Sequence, residues 1–119
     1  MNGLQMLLRA EHVALFVAGV IAYLALGGNW LLALPLLLAI DLSMVGYLAG
    51  PRVGAITYNL GHNLVVVAAA AGIGWWTGLG WVQLLAAIWL AHVGMDRALG
   101  YGLKLPTDFR DTHLGRIGR

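Results

Sequence analysis

The chain has no cysteine, and only 10% of its 119 residues carry a charge. The first absence excludes disulfides, thiolate metal sites and cysteine nucleophiles. The second, beside an apolar share of 61%, excludes an ordinary soluble domain, where about 25% of residues are charged and about 45–50% apolar. So small a soluble chain could not hide that much apolar surface, because its surface-to-volume ratio is too high. Lipid is the expected solvent. With 7 basic and 5 acidic residues in total, the basic pI is weak evidence for nucleic acid, and no nucleic-acid partner is expected. Two patterns are also missing: the alternation of a barrel strand and the paired inverted repeats of many transporters.

What is present is a series of apolar segments at about 5–26, 30–48, 53–76 and 79–99. A helical span needs about 20 residues, and backbone groups in lipid must be satisfied internally. The expectation is an all-α integral membrane domain, a bundle of four transmembrane helices over residues 1–99. A polar tail, 100–119, follows and either lies on the membrane surface or folds back as a lid. The first segment also has the basic head and small-residue end of a signal peptide, but Glu11 and His12 interrupt its boundary. Pro35 is expected to bend the second helix.

Charge sets the expected topology. The links Gly27–Asn29 and Thr77–Gly80 carry none, whereas Arg9, Arg52, Arg97, Lys104, Arg110, Arg116 and Arg119 all fall at the other ends of the segments. The positive-inside rule then puts both termini in the cytoplasm. Trp30, Trp75, Trp76 and Trp81 gather at the opposite interface. Gly46, Gly50 and Gly54, and the small residues from Ala68 to Gly78, would let backbones approach within the bundle or between protomers. A chain this small is expected to form a homo-oligomer.

The ionisable residues of the spans all lie in the cytoplasmic half. Glu11 and His12 open helix one. Asp41 and His62, counted from Arg52, are about 15 Å deep, and His92, counted from Arg97, about 7 Å deep. Asp96 is at the mouth. His92 shares a helix face with Asp96, and His62 with Tyr58 and Asn59; an α-helical period puts Asp41 with Met44 and Leu48 rather than Tyr47. A charged group in lipid is costly, so this pattern suggests a polar cavity open to the cytoplasm.

Three chemistries fit that cavity. His62, His92, Asp96 and Asp41 would make a four-ligand N/O site for a divalent metal. The same groups suit acid–base catalysis on an amphipathic or apolar ligand, with Asn59 orienting and Arg52, Arg97, Tyr58, His12 and Glu11 contributing to binding. They would also serve a proton- or ion-coupled transporter or channel subunit. The structural alternatives are plain. Glu11 with Arg9 or His12 can be interfacial polarity, Arg52 a topology anchor, Tyr58 an interface residue, and Asp41–His62 a hydrogen bond that only locks two helices.

Three stretches, LLRAEHVALF, DLSMVGYLAGPRVGAITYNLGHN and IWLAHVGMDRALGYGLKLPTDFRDTHLGRIG, resemble the bacterial membrane family called domain of unknown function 4260. The resemblance implies a small multi-span protein of the bacterial inner membrane and supplies no activity. Because the tail belongs to it, the resemblance also points to Asp108, Asp111 and His113 as residues closing the cytoplasmic mouth.

Overall fold

The computed structural model describes residues 2–117; Arg119, counted among the basic residues above, lies outside them. Asn2 opens α1 (Gly3–Ala25) with a capping box, its side chain accepting from Gln5 N–H while Gln5 reaches back to the Asn2 N–H. The Tyr23 hydroxyl donates to the Asn29 carbonyl at 2.9 Å and closes the first turn. Asn29 in turn caps α2 (Trp30–Ala39).

At Ile40 the helix changes type. Residues Ile40–Ala49 form a 3-10 helix of 10 residues, where runs beyond about 3–4 are uncommon. With three residues per turn this segment has three clean faces. Leu42, Val45 and Leu48 are exposed. Ser43 and Gly46 pack on α3 (Pro51–Gly61), so closely that a β-carbon on Gly46 would overlap Thr57. Asp41, Met44 and Tyr47 make the third face. The stripe expected from an α-helical period is therefore corrected: Leu48 is 91% exposed and Tyr47 takes its place.

The third predicted helix, 53–76, is two helices. α3 ends at Gly61, α4 runs Leu64–Thr77, and the axis bends by 41° between them. A left-handed Gly78 ends α4, and Gly100, at φ 95°, ends α5 (Gly80–Leu99). α1 and the continuous Trp30–Ala49 stretch are each long and apolar enough to cross a membrane, and the bent α3–α4 pair makes a third candidate. α5 is not among them. It is the central helix, with Ala91, His92 and Val93 fully buried.

α1 meets α5 backbone to backbone. A β-carbon on Gly19 would lie 2.5 Å from Ala91 N, and one on Gly94 would lie 2.6 Å from Phe16 N. Small residues permit this approach, and Tyr23, Leu37, Ala87, Ile88 and Ala91 fill the core beside it. The tail is folded, with β1 (Asp111–Thr112) pairing antiparallel to β2 (Gly115–Arg116) and Lys104 bridging to Thr112.

Candidate metal centre

A break inside an apolar helix pair strands carbonyl groups, which protein must satisfy where water does not reach them. Four side chains do so here. Trp89 Nε1 donates to Gly61 O at 2.5 Å, Arg97 Nη2 to His62 O at 3.1 Å, Asn63 Nδ2 to Asn59 O at 2.7 Å, and His62 Nδ1 to Tyr58 O at 3.0 Å. Asn63 also caps α4 through the Val66 N–H.

The last of these bonds sets the chemistry of His62. A carbonyl can only accept, so Nδ1 carries the proton, and in neutral imidazole Nε2 is left with a free lone pair. The ring also stacks on Tyr58, centroids 3.7 Å apart and planes within 7°. Its Nε2 points at three other groups. Asp41 Oδ1 is 3.2 Å away, Asp96 Oδ2 3.2 Å and His92 Nε2 3.0 Å. His92 Nε2 is in turn 3.1 Å from Asp41 Oδ1 and 3.2 Å from Asp96 Oδ2. The remaining pair, Asp41 with Asp96, lies within 4.8 Å.

These four donor atoms share one small volume, all within 4.8 Å of one another. Metal–ligand bonds of about 2.0–2.1 Å in a regular tetrahedron place the donors about 3.3–3.4 Å apart. Five of the six separations here are 3.0–3.2 Å. Two protonated imidazoles would aim their Nε2 hydrogens at each other across 3.0 Å, so a pair of imidazolium–carboxylate bridges fits the arrangement poorly. Two neutral imidazoles and two carboxylates leave two negative charges, which one divalent cation neutralises. His92 Nδ1 is buried, and the group beside it is the Leu37 backbone, with no well-formed hydrogen bond among the described residues. That ring is thus held by packing, and Asp96 is held by the Tyr58 hydroxyl at 3.3 Å.

Above the cluster is a cavity of about 270 Å³, bounded by Asp41, Met44, Tyr58 and Asp96 from the helices and by Tyr101, Lys104, Phe109 and Ile117 from the tail. Asp41 is its open side, with a side chain 41% exposed against 12% for Asp96 and 0% for His92. The tail is held down by Asn59, which pairs with both backbone groups of Lys104 at 2.9 and 2.6 Å. The Lys104 ammonium lies 3.9 Å from the Phe109 ring centroid and 4.8 Å from that of Tyr58. Burial lowers its pKa from the ordinary lysine value, and Asp96 opposes the shift.

The structure thus brings Asp41, His62, His92 and Asp96 together, with Tyr58 beside them. Asn59 clamps the tail rather than facing the cavity. The unequal depths expected for His62 and His92 are corrected to a shared level, because Arg97 is no interface marker: it reaches the His62 carbonyl. Arg52 and Glu11 are exposed and make none of the cluster's contacts. His12, Arg97 and His113 border a different cavity. Asp108 and Asp111 brace the tail internally, Asp108 accepting from Arg110 N–H and Asp111 from Thr107 and Arg116. The residues that do cover the cluster, Tyr101, Lys104, Phe109 and Ile117, were not singled out as its cover. Asn59 was the available signal, since a polar amide on a helix beside the site needs partners. Trp89 was another, standing apart from the tryptophans at the far interface.

The family model described as a domain of unknown function (DUF4260) matches residues 5–117. The chain belongs to this family. No curated protein and no solved structure matches it. The DUF4260 match spans every ligand of the cluster and the tail that covers it.

Proposed function

We propose that this DUF4260 protein is an integral membrane metalloprotein in which Asp41, His62, His92 and Asp96 hold one divalent cation, and that the cavity above admits a small amphipathic ligand to it. The observation that carries this reading is the clustering of four donor atoms, all within 4.8 Å of one another and with five of the six separations at 3.0–3.2 Å. A set of two imidazoles and two carboxylates suits a borderline ion such as zinc, or iron or manganese in the divalent state. When bound, such an ion supplies Lewis acidity to a ligand oxygen. The chain's own groups do the rest. Asp41 is the ligand nearest the opening, Tyr58 orients Asp96, and Lys104 places a positive charge over the cavity for an anionic part of the ligand.

In this reading α5 is the fourth crossing, sheathed by the three apolar candidates, and both termini are in the cytoplasm of a bacterial inner membrane. What supports it is the division of ends: exposed Trp30, Trp75, Trp76 and Trp81 lie where α2 and α5 begin and α4 ends, while exposed Arg9 and Arg52 and the tail lie at the other.

Metal analysis tests the site. Protein purified without chelators is expected to carry about one equivalent of a divalent metal, with His62→Ala and His92→Ala each losing it while remaining helical by circular dichroism. A wild-type protein that neither retains nor binds zinc, manganese or cobalt overturns the proposal. One observation favours a second role: four protein donors are also the composition of structural zinc sites, whereas catalytic ones keep an open position. Cobalt substitution separates the two. Acetohydroxamate shifts the visible spectrum of the cobalt protein if the ion is open to a ligand, and leaves it unchanged if the ion only staples helices.

A further inference from the structure

A second cavity, of about 320 Å³, lies between the start of α1 and the end of α5 and is separate from the metal cluster. Its polar wall is Gln5, Arg9, His12, Arg97 and His113, and its apolar wall includes Leu8 and Leu114. No carboxylate among the described residues lines it. Among the described residues Arg9 makes no hydrogen bond or ion pair, and Arg97 donates one hydrogen bond, to the His62 carbonyl at 3.1 Å, with Tyr58 and Asp96 acting on it only through charge. A guanidinium presents a fork of N–H donors that matches phosphate and carboxylate, so most of that capacity is uncommitted. The two groups nevertheless have reason to be where they are. A β-carbon on Gly100 would come within 2.9 Å of Arg9 Nη2, so this guanidinium rests against the negative end of the α5 dipole, as Arg97 does in the last turn.

The histidines are prepared in a complementary way. His113 Nδ1 accepts the Leu103 N–H at 2.8 Å, which leaves its Nε2 as the protonated nitrogen and hence a donor. His12 Nδ1 donates to the Leu8 carbonyl at 2.7 Å. On the outer side of the same stretch of α1, Leu4 and Leu7 are exposed, which places lipid chains within reach of the cavity.

We infer that this cavity is a binding site for the phosphate group of a membrane amphiphile, with Arg9, Arg97 and His113 taking the anion and the leucines taking the start of its chain. The inference does not depend on the metal reading, because none of the four metal donors borders this cavity.

The test is thermal unfolding of the full-length protein in an uncharged detergent, titrated separately with decyl phosphate, inorganic phosphate and decyl glucoside. Decyl phosphate is expected to raise Tm saturably, with Arg9→Ala and His113→Leu each weakening apparent affinity at least tenfold. Decyl phosphate acting far more strongly than inorganic phosphate identifies a lipid headgroup; equal action identifies free phosphate, and both support the anion site. An equal shift with decyl glucoside, or titrations unchanged in both variants, overturns it. Metal content measured on the same samples reports the other site separately.

Discussion

Asn59 and Lys104 are joined by a double hydrogen bond, side-chain amide to backbone N–H and carbonyl, at 2.6 and 2.9 Å. This pairing is what turns a polar tail into the roof of the cavity. Asn59→Leu removes both bonds, each worth about 0.5–1.5 kcal/mol net. Because proteolysis follows the population of the open form, trypsin cleavage after Lys104, buried in the closed tail, is expected to accelerate roughly tenfold or more, at about 1.4 kcal/mol per factor of ten. Unchanged cleavage would show that other contacts hold the roof.

The His62 tautomer is set from behind. Ser43 Oγ lies 3.2 Å from His62 Nδ1, beside the Tyr58 carbonyl. Partners of this kind behind a metal-binding histidine typically change affinity about 10–100-fold. Ser43→Ala, which keeps the Tyr58 bond, is expected near the lower end, about tenfold weaker zinc binding by competition with a chelator. His92→Ala should reduce bound metal below detection.

The break between α3 and α4 depends on its donors. Trp89→Phe keeps an aromatic ring, though a smaller one, and strands the Gly61 carbonyl, which Trp89 Nε1 otherwise satisfies. An unsatisfied buried acceptor costs about 1–3 kcal/mol. A lower Tm with helical content retained is the expected outcome; an unshifted Tm would mean that water or lipid headgroups reach the break.

Close contact between α1 and α5 makes Gly94 intolerant of any side chain. Its β-carbon would be 2.6 Å from Phe16 N and 2.8 Å from His12 O, whereas one on Gly72 would meet nothing within 4 Å. Gly94→Val is therefore expected to destabilise by at least the about 1–3 kcal/mol typical of overpacking, and Gly72→Ala to be neutral or slightly stabilising. Parallel thermal melts of the two variants check both.

Burial, with Arg97 next in size, holds the His113 pKa below the ordinary histidine value. The unfolded chain therefore binds a proton that the folded tail resists, and tail stability falls as pH drops through about 6.5. Above that range the contribution is constant. Tail cleavage by trypsin, compared between pH 7.5 and 5.5 and corrected for the enzyme's own pH dependence, should rise in the wild type and rise less in His113→Gln.

Composition alone determined that this chain is too apolar for an ordinary small soluble domain, with 61% apolar residues in 119, and the fold answers with two helices, or three counting the bent pair, long and apolar enough to cross a membrane. Residue type and position along the segments likewise put Asp41, His62, His92 and Asp96 on one candidate site. The tertiary structure decided how they meet. A 3-10 helix swings Tyr47 onto the Asp41 stripe, and a 41° break at His62 lets Arg97 descend to its carbonyl. Neither follows from α-helical periodicity, since both are departures from it. A tail folded back as a lid was one of two expectations, but the clamp that holds it was beyond sequence reasoning for a different reason: Asn59 and Lys104 are 45 residues apart, and only the folded chain makes them neighbours.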